Sequence, residues 1–247
     1  MAGHSKWANI KFRKEKQDSK RGKLFTKLIR EITVAAGIGG ADAGSNPRLR
    51  KALDKAWAAN MTKDVIDRAI KRGAGGEGEA NMEEINYEGY GPGGVAVMVE
   101  CLSNNRNRTV SEVRHAFTKY GGNLGTNGSV SYLFSSVGQI MVEGSKDLEK
   151  IMELAIESGA NDVDSEDGEN VMIECSPENF NGIKDALEKA KYKLGMAEIA
   201  QVASTEVRLD AEDSERVLKL IDALEDLDDV QSVYTNADLA EEVLSRN

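Results

Sequence analysis

The period of the hydrophobic pattern changes once along the chain, near residue 73, and this change limits the folds that the chain can adopt. Before it, apolar residues recur at helical spacing in three segments. After it, short apolar runs typical of strands alternate with helical segments. The sequence therefore predicts an α+β chain in which a helical bundle precedes sheet-containing domains.

Three helices are predicted in the N-terminal part. The apolar stripe of the first ends at the glycine-rich segment 37–40. The second begins after Asn46, which can cap it, with Pro47 at the first helical position. Its predicted apolar stripe includes Trp57. The third is followed by GAGGEGEAN (73–81), a composition that predicts a flexible hinge.

The middle of the chain begins with a predicted β-hairpin. INYEGY and GVAVMVECL are typical of strands, and GPGG between them is typical of a turn. A helix is predicted over RTVSEVRHAFTKYGG, with a capping box from Thr109 to Glu112. SVSYLF is predicted as a further strand.

From residue 137 to 205 the predicted order is β-α-β-β-α-β, the ferredoxin-like pattern, with Asp167-Gly168 as a hairpin turn. The strand, helix and strand that follow have no partner sheet unless they return to the segment before residue 136. We therefore expect three domains: a basic N-terminal arm with a three-helix bundle (1–76), a discontinuous α/β domain (77–136 plus 206–247), and an inserted ferredoxin-like domain (137–205).

The charge is divided unequally between the two parts of the chain. Residues 1–72 carry 18 Lys and Arg against 7 Asp and Glu, a net charge of +11, whereas residues 73–247 carry 14 against 35, a net charge of −21. This division predicts a polyanion-binding end on a body that repels polyanions. We also expect the two parts to attract each other. An ordinary solvated helix face is the alternative, but the basic run is longer than one face.

The candidate nucleic-acid-binding residues lie mainly in this basic run. Lys and Arg neutralise phosphates without regard to sequence. Trp7 and Phe12 either stack on bases or hold an extended arm against the body. The candidates are Lys6, Trp7, Lys11, Phe12, Arg13, Lys14, Lys16, Lys20, Arg21, Lys23 and Lys27.

A second candidate anion site lies in LSNNRNRT (102–109). Arg106 and Arg108 are predicted in a strand-to-helix loop just before a helix N-terminus, where backbone N–H groups favour an anion. The alternative is a loop capped by asparagine side chains, with both arginines in water. The sequence leaves these two possibilities open.

No catalytic, cofactor or metal site is predicted. Both G-x-G-x-x-G matches lie in a turn or a polar linker rather than before a helix. His4 and His115 are the only histidines, and neither has metal-ligand partners at a typical spacing. Cys101 and Cys175 lie in apolar, strand-like surroundings and form no disulfide framework. We expect a protein that is not an enzyme, with an enzyme using an inter-domain cleft as the minority alternative.

Four segments resemble the YebC/PmpR family of transcriptional regulatory proteins over essentially the whole chain: MAGHSKWANIKFRKEKQDSKRGKLFTKLIREI, NPRLRKALDKA, NYEGYGPGGVAVMVECLSNNRNRTVSEVRHAF and GGNLGTNGSVSYLF. The resemblance implies three domains around a central cleft and a DNA-binding transcriptional regulator. Phe12 departs from the pattern, because relatives commonly carry a histidine there.

The family also includes mitochondrial translational activators of cytochrome c oxidase and bacterial members linked to ribosomes on proline-rich messages. The expected function is therefore a nucleic-acid-binding regulator of transcription, with a ribosome- or RNA-associated translation factor as the alternative. The partner is nucleic acid, and no small-molecule substrate or membrane is expected. Neither a secretory h-region nor a membrane-spanning run is found, which predicts a cytoplasmic protein. A mitochondrial transit peptide is the alternative, although Glu15 and Asp18 count against an acid-poor presequence. The oligomeric state is left open.

Overall fold

The structure is a computed structural model of the 247-residue chain, and it describes residues 21–76, 82–144, 147–165 and 170–244, with only the backbone of Arg21 and Gly22. These residues form mixed α/β structure. They divide into two compact units, of which one spans residues 132–206 and the other combines the residues before 132 with those after 206.

The described helices are α1 (Arg21–Gly39), α2 (Pro47–Ala58), α3 (Lys63–Ala74), α4 (Arg106–Lys119), α5 (Leu148–Glu157), α6 (Phe180–Lys189), α7 (Ala211–Glu225) and α8 (Glu241–Leu244). The described strands are β1 (Glu83–Tyr90), β2 (Ala96–Ser103), β3 (Asn123–Leu124), β4 (Phe134–Val142), β5 (Asp162–Asp164), β6 (Val171–Cys175), β7 (Leu194–Ala203), β8 (Val207–Arg208), β9 (Val230–Thr235) and β10 (Ala237–Asp238).

Helices α1, α2 and α3 form the predicted bundle around their own apolar cluster. The Asn46 side chain accepts a hydrogen bond from the Leu49 N–H at 3.0 Å, and Pro47 occupies the first position of α2, as predicted. Trp57 does not belong to the buried stripe: its side chain is 49% exposed, which corrects the prediction. The buried members of the cluster are Leu28, Ile32, Ala35, Ala36, Leu49, Ala52, Ala56, Met61, Ile66 and Ala69.

The end of α3 differs from the predicted hinge. Gly73 lies within the helix and is buried, because α1 approaches so closely that an added Cβ would lie 2.1 Å from the Thr33 carbonyl oxygen. Gly75 ends the helix. Residues 77–81 lie outside the described part of the chain. The glycine at 73 therefore serves helix packing and not flexibility.

A four-stranded sheet in the order β3-β1-β2-β9 forms the body of this unit. β9 pairs antiparallel with β2, with Val97 opposite Thr235. The C-terminal segment thus returns to the sheet formed by the middle of the chain. Helices α4 and α7 join the sheet in one apolar cluster that includes Phe117 and Leu220. The short strands β8 and β10 pair with each other in a separate parallel ladder.

The unit at residues 132–206 has the element order β-α-β-β-α-β, with the sheet order β5-β6-β4-β7. Its own apolar cluster combines strand residues such as Ile140 and Ile173 with helix residues such as Ile151 and Ile183. β5 and β6 pair antiparallel as a hairpin would. The predicted turn residues, Asp167 and Gly168, lie outside the described residues.

Two local predictions are wrong. Most of SVSYLF is not a strand, because Ser131–Leu133 forms a 3-10 turn and β4 begins only at Phe134. The capping box is also wrong, because α4 begins at Arg106 and not near Thr109. The Asn105 side chain caps this helix by accepting a hydrogen bond from the Arg108 N–H at 3.1 Å.

Candidate nucleic-acid interface

The sequence-predicted binding residues fall into two groups. Lys6, Trp7, Lys11, Phe12, Arg13, Lys14, Lys16 and Lys20 lie outside the described residues, and so does the side chain of Arg21. Lys23 and Lys27 lie on α1, and Arg106 and Arg108 lie in the first turn of α4. The structure therefore gives positions for the second group only.

Three cations of α1 contact the body of the same unit. Lys23, Lys27 and Arg30 follow one another at helical spacing, which places them on one face of α1. We call these three residues the basic stripe. They meet the C-terminal end of α7 and the residues after it, Glu225–Asp229, which we call the acidic turn.

Most of the contacts between the basic stripe and the acidic turn go to main-chain carbonyls. Lys27 Nζ donates to the Glu225 carbonyl at 2.9 Å, and the Arg30 guanidinium donates to the Asp228 carbonyl at 2.7 Å. Lys23 Nζ lies 2.9 Å from the Asp226 carboxylate. The last carbonyls of a helix lack partners within it and carry partial negative charge, so cations are favoured there.

Asp229 is the buried member of the acidic turn, with 2% of its surface exposed. Its carboxylate accepts hydrogen bonds from Ser103 Oγ at 2.9 Å, from Thr109 Oγ1 at 2.7 Å, and from the guanidinium groups of Arg108 at 2.7 Å and Arg30 at 3.2 Å. A buried charge needs such partners, because without them its removal from water would be costly. This cluster joins α1, the β2–α4 connection and the α7–β9 connection.

The hydrogen bonds also set the protonation state of Asp229. Burial alone would raise the pKa of this carboxyl, but the bonds from Arg108, Thr109 and Ser103 outweigh it, so the pKa lies below its ordinary value. The carboxylate in turn raises the pKa of Arg108 through the same hydrogen bond. Both groups are charged at neutral pH, and the pair is an ion pair.

The LSNNRNRT segment therefore has an inner side and an outer side. Ser103, Arg108 and Thr109 donate hydrogen bonds to Asp229. The Arg108 side chain is paired in this way although 45% of it is exposed. Asn104, Arg106 and Asn107 are exposed. The backbone carbonyl of Arg106 accepts a hydrogen bond from the Tyr87 hydroxyl at 3.4 Å. Both arginines predicted to bind anions are exposed. Arg108 forms an ion pair with Asp229, and Arg106 lies outside that ion pair.

Cations of α2 form a second contact with the sheet. The Arg48 guanidinium binds the carboxylates of Glu31 and Glu84. Glu100 lies half-buried on β2, and its side chain accepts a hydrogen bond from the Tyr234 hydroxyl at 3.3 Å. Burial raises the pKa of Glu100, while Lys51 and Lys55 act in the opposite direction. The bundle thus approaches the sheet with positive groups, and the sheet presents carboxylates.

Several exposed cations of the bundle were not among the predicted binding residues. They lie on α2 and α3, whose apolar residues face the bundle core, so their polar faces point outward. The exposed Trp57 lies on the same helix as three of them. The helical spacing of the apolar residues in α2 and α3 is the sequence signal that could have identified these cations as outward-facing. These cations are Arg50, Lys51, Lys55, Lys63, Arg68, Lys71 and Arg72.

Metal binding and nucleophilic catalysis are the other kinds of chemistry for which the described residues were candidates. Within ranges 21–76, 82–144, 147–165 and 170–244, no group of His, Cys, Asp and Glu could hold a metal ion. Burial raises the pKa of the Cys101 thiol to about 12, so it is a neutral thiol and not a nucleophilic thiolate at neutral pH. His115 is exposed and lies in a groove of about 600 Å³ between α4 and α7.

Among the helices of the described residues, none combines the length and the apolarity that a membrane span requires.

Two family models match the chain. The model described as the TACO1/YebC protein N-terminal domain matches residues 5–76, and the model described as the TACO1/YebC second and third domain matches residues 82–237. The first covers the basic stretch and the bundle. The second covers the sheet with β9 together with the unit at residues 132–206.

Curated proteins and a solved structure are similar to the chain over nearly its full length. A probable transcriptional regulatory protein of Coxiella burnetii (strain RSA 493 / Nine Mile phase I) is 60% identical over 244 residues, which is 99% of this chain and 100% of the relative. One from Pseudomonas fluorescens (strain Pf0-1) is 59% identical, over 100% of this chain and 99% of the relative. The crystal structure of a conserved hypothetical protein from Aquifex aeolicus has a TM-score of 0.80 and 49% identity, and the match covers 92% of this chain and 94% of that one.

Proposed function

The chain belongs to the TACO1/YebC family, and from this premise we propose that it is a non-enzymatic, DNA-binding transcriptional regulator that acts in the cytoplasm. Relatives with 59–60% identity are named probable transcriptional regulatory proteins. The ribosome-associated alternative has no support in those names, and we do not propose it.

The observation that carries the proposal is the outward-facing charge of the bundle. Residues 21–76 carry 12 Lys and Arg against 5 Asp and Glu. Seven of the cations, on α2 and α3, are exposed because the apolar residues of these helices face the bundle core. The basic segment 1–20 joins directly to α1. A surface of this kind binds phosphates strongly and releases their counterions.

The proposed binding depends on phosphate charge and on nucleic-acid shape. Lysine side chains contact phosphates as point charges, and arginine side chains contact them with two parallel hydrogen bonds. Such contacts position a protein on the duplex but carry little sequence information. The sequence preference would then come from Arg106 and its asparagine neighbours, Asn104 and Asn107, or from duplex deformability.

We also propose that the chain has the three domains expected from its sequence, with boundaries 1–76, 77–136 plus 206–247, and 137–205. The bundle and the β1–β2 sheet have separate apolar clusters, which supports the first boundary. The pairing of β9 with β2 supports a discontinuous middle domain.

Charge reversal in the basic stretch tests the proposed function. We expect the variant with Lys11, Arg13, Lys14 and Lys16 changed to Glu to lose DNA binding in a gel-shift assay, because eight units of charge are removed from the phosphate-binding end. Binding by the unchanged chain should weaken by about tenfold or more between 50 and 200 mM salt. Circular dichroism should show an intact fold in the variant.

A matched control places the same charge change elsewhere. Lys150, Lys189, Lys191 and Lys193 belong to the unit at residues 132–206, and their change to Glu should alter binding much less. Equal losses in the two variants would contradict a basic-end site. Crosslinking in cells, followed by sequencing of the bound DNA and RNA, separates transcription from translation: recovery of RNA without DNA would reject the proposed regulator.

A further inference from the structure

The bundle and the sheet meet through charged groups. In the described part of the chain, the buried apolar residues of the bundle and those of the sheet form separate clusters. The charged contacts between them include those of the basic stripe with the acidic turn and that of Arg48 with Glu84. Electrostatic contacts between exposed groups weaken with salt and compete with other ions. The docking of the bundle is therefore open to competition by a polyanion.

The acidic turn presents to the basic stripe the groups that a phosphate would present. Its carbonyl and carboxylate oxygens accept hydrogen bonds from Lys23, Lys27 and Arg30 at distances between 2.7 and 3.3 Å. Lys23 and Lys27 belong to the basic stretch that the proposed function assigns to nucleic acid. These cations cannot bind a phosphate and the acidic turn with the same N–H groups at the same time.

The three contacts differ in how readily they exchange. The side chains of Lys23 and Asp226 are each 50% exposed, and an ion pair in such a position is screened by water and contributes little to stability. Arg30 and Asp229 expose only 18% and 3% of their side chains, and Asp229 has three further donors. A phosphate can displace the exposed contact without breaking the buried one. Lys23 is thus the most readily exchanged of the three, and the partly buried Lys27 contact lies between it and Arg30 on the stripe.

We propose that the acidic turn is an autoinhibitory element that occupies the basic stripe in the free protein and is displaced from Lys23 and Lys27 by nucleic-acid phosphates. This inference rests on the proposed function and adds its regulation. Competition within the chain lowers the affinity for any nucleic acid that offers only phosphate charge. Targets that make additional contacts can still bind, so the competition favours specific over non-specific binding.

The test removes negative charge from the acidic turn and leaves Asp229 in place. Asp226→Asn combined with Asp228→Asn deletes two exposed carboxylates. We expect this variant to bind a short random-sequence DNA duplex about fivefold more tightly than the unchanged chain at about 50 mM salt, since the Lys23–Asp226 ion pair and two negative charges beside the basic stripe no longer compete with phosphate. Fluorescence anisotropy with a labelled duplex measures the affinity.

The matched control removes the same charge from the opposite end of the same helix. Glu212→Gln and Glu215→Gln lie 14 and 11 residues before Asp226, or about 21 and 16 Å along the helix axis. Both distances exceed the Debye length of about 14 Å at 50 mM salt. This control should bind within about twofold of the unchanged chain. Adding Lys23→Gln to the Asp226→Asn, Asp228→Asn variant should remove most of its gain.

The outcomes separate this inference from the proposed function. A gain confined to the acidic-turn variant supports autoinhibition. Equal affinities of the unchanged chain, the acidic-turn variant and the control overturn autoinhibition and leave the proposed function standing. An equal gain in both charge variants also overturns it, because the effect is then one of net charge. Absence of binding by all three overturns the proposed function, and autoinhibition with it.

Discussion

At the scale of single residues, Asp229 joins parts of the chain that are far apart in sequence. Its donors come from α1, from the end of β2 and from the first turn of α4. Nothing in the local sequence marks any of these donors as part of a buried cluster. The Asp-Asp pair at 228–229 has the composition of an exposed loop. What distinguishes the two aspartates is burial: Asp228 is exposed, whereas Asp229 is not.

This difference predicts different effects of the same substitution. Asp229→Asn should lower the free energy of unfolding by about 2–4 kcal/mol, because Arg30 and Arg108 lose a buried counter-charge. Asp228→Asn should change it by less than about 0.5 kcal/mol. Urea unfolding measures both values. Equal effects of the two substitutions would show that the carboxylate at 229 has no special structural role.

The pKa of Asp229 also predicts a pH dependence of stability. Because its folded-state pKa lies below the unfolded value of about 3.9, its contribution is complete above that value and is lost as the pH falls through the folded-state pKa. Stability should therefore fall on acidification below about pH 4, and the fall should be smaller in Asp229→Asn. Urea midpoints measured between neutral pH and pH 3 test this expectation. Parallel curves for the two proteins would contradict it.

At the scale of elements, the contact between α1 and α3 depends on the absence of a side chain at Gly73. The Thr33 carbonyl occupies the space that a Cβ would need, and Ala36 lies beside it. Close approach of this kind lets the two helix backbones pack together and buries Thr33. A glycine in a helix costs about 1 kcal/mol relative to alanine, so close packing must offset that cost.

Gly73→Ala should consequently destabilise the bundle despite the better helix propensity of alanine. We expect a loss of about 2–4 kcal/mol, because the clash is with backbone and cannot be relieved by a side-chain rotation. Gly37→Ala is the matched control on the facing helix, where an added Cβ would lie at an ordinary 3.4 Å from the Gly73 carbonyl oxygen. Thermal unfolding followed at 222 nm compares the two variants. A stabilised Gly73→Ala protein would disprove the close approach.

The start of α4 shows why helix boundaries are hard to predict from local patterns. Thr109 and Glu112 have the spacing of a capping box, but the cap is Asn105, four residues before Thr109, whose side chain accepts a hydrogen bond from the Arg108 N–H. The Thr109 hydroxyl instead donates to Asp229, and its oxygen also lies 3.0 Å from the Asn105 carbonyl oxygen. The competing partner, Asp229, is 120 residues away in sequence. A capping pattern read locally cannot reveal such a partner.

At the scale of the whole molecule, the chain leaves one sheet, forms the unit at residues 132–206, and returns. β2 lies between β1 and β9, so the sheet is incomplete without the C-terminal segment. Helix α7 contributes Val217, Leu220 and Leu224 to the same core. The unit at residues 132–206, in contrast, has a complete apolar cluster of its own.

Two fragments test this difference. The fragment 132–206 should fold by itself and unfold cooperatively in urea, because its sheet and both of its helices are present. The fragment 82–131 should not fold, because it lacks β9 and α7 and therefore leaves one side of β2 unpaired. Far-ultraviolet circular dichroism and urea titration measure both. A folded 82–131 fragment, or an unfolded 132–206 fragment, would contradict an inserted domain.

Periodicity and composition alone determined the helices of the bundle, the β-α-β-β-α-β order, the Asn46 cap and the concentration of cations at one end. These are local properties, since each depends on residues within about one helical turn or one strand of each other. The unequal division of charge along the chain is likewise found by counting the charged residues in each part.

The tertiary structure decided which of those cations face solvent and which are paired. Lys23 and Lys27 belong to the basic stretch, yet they bind the acidic turn about 200 residues later. Trp57 lies outside the bundle core, and Gly73 lies inside a helix contact rather than in a hinge. Each of these outcomes depends on which distant backbone or carboxylate comes to lie beside a residue, and local spacing carries no information about that.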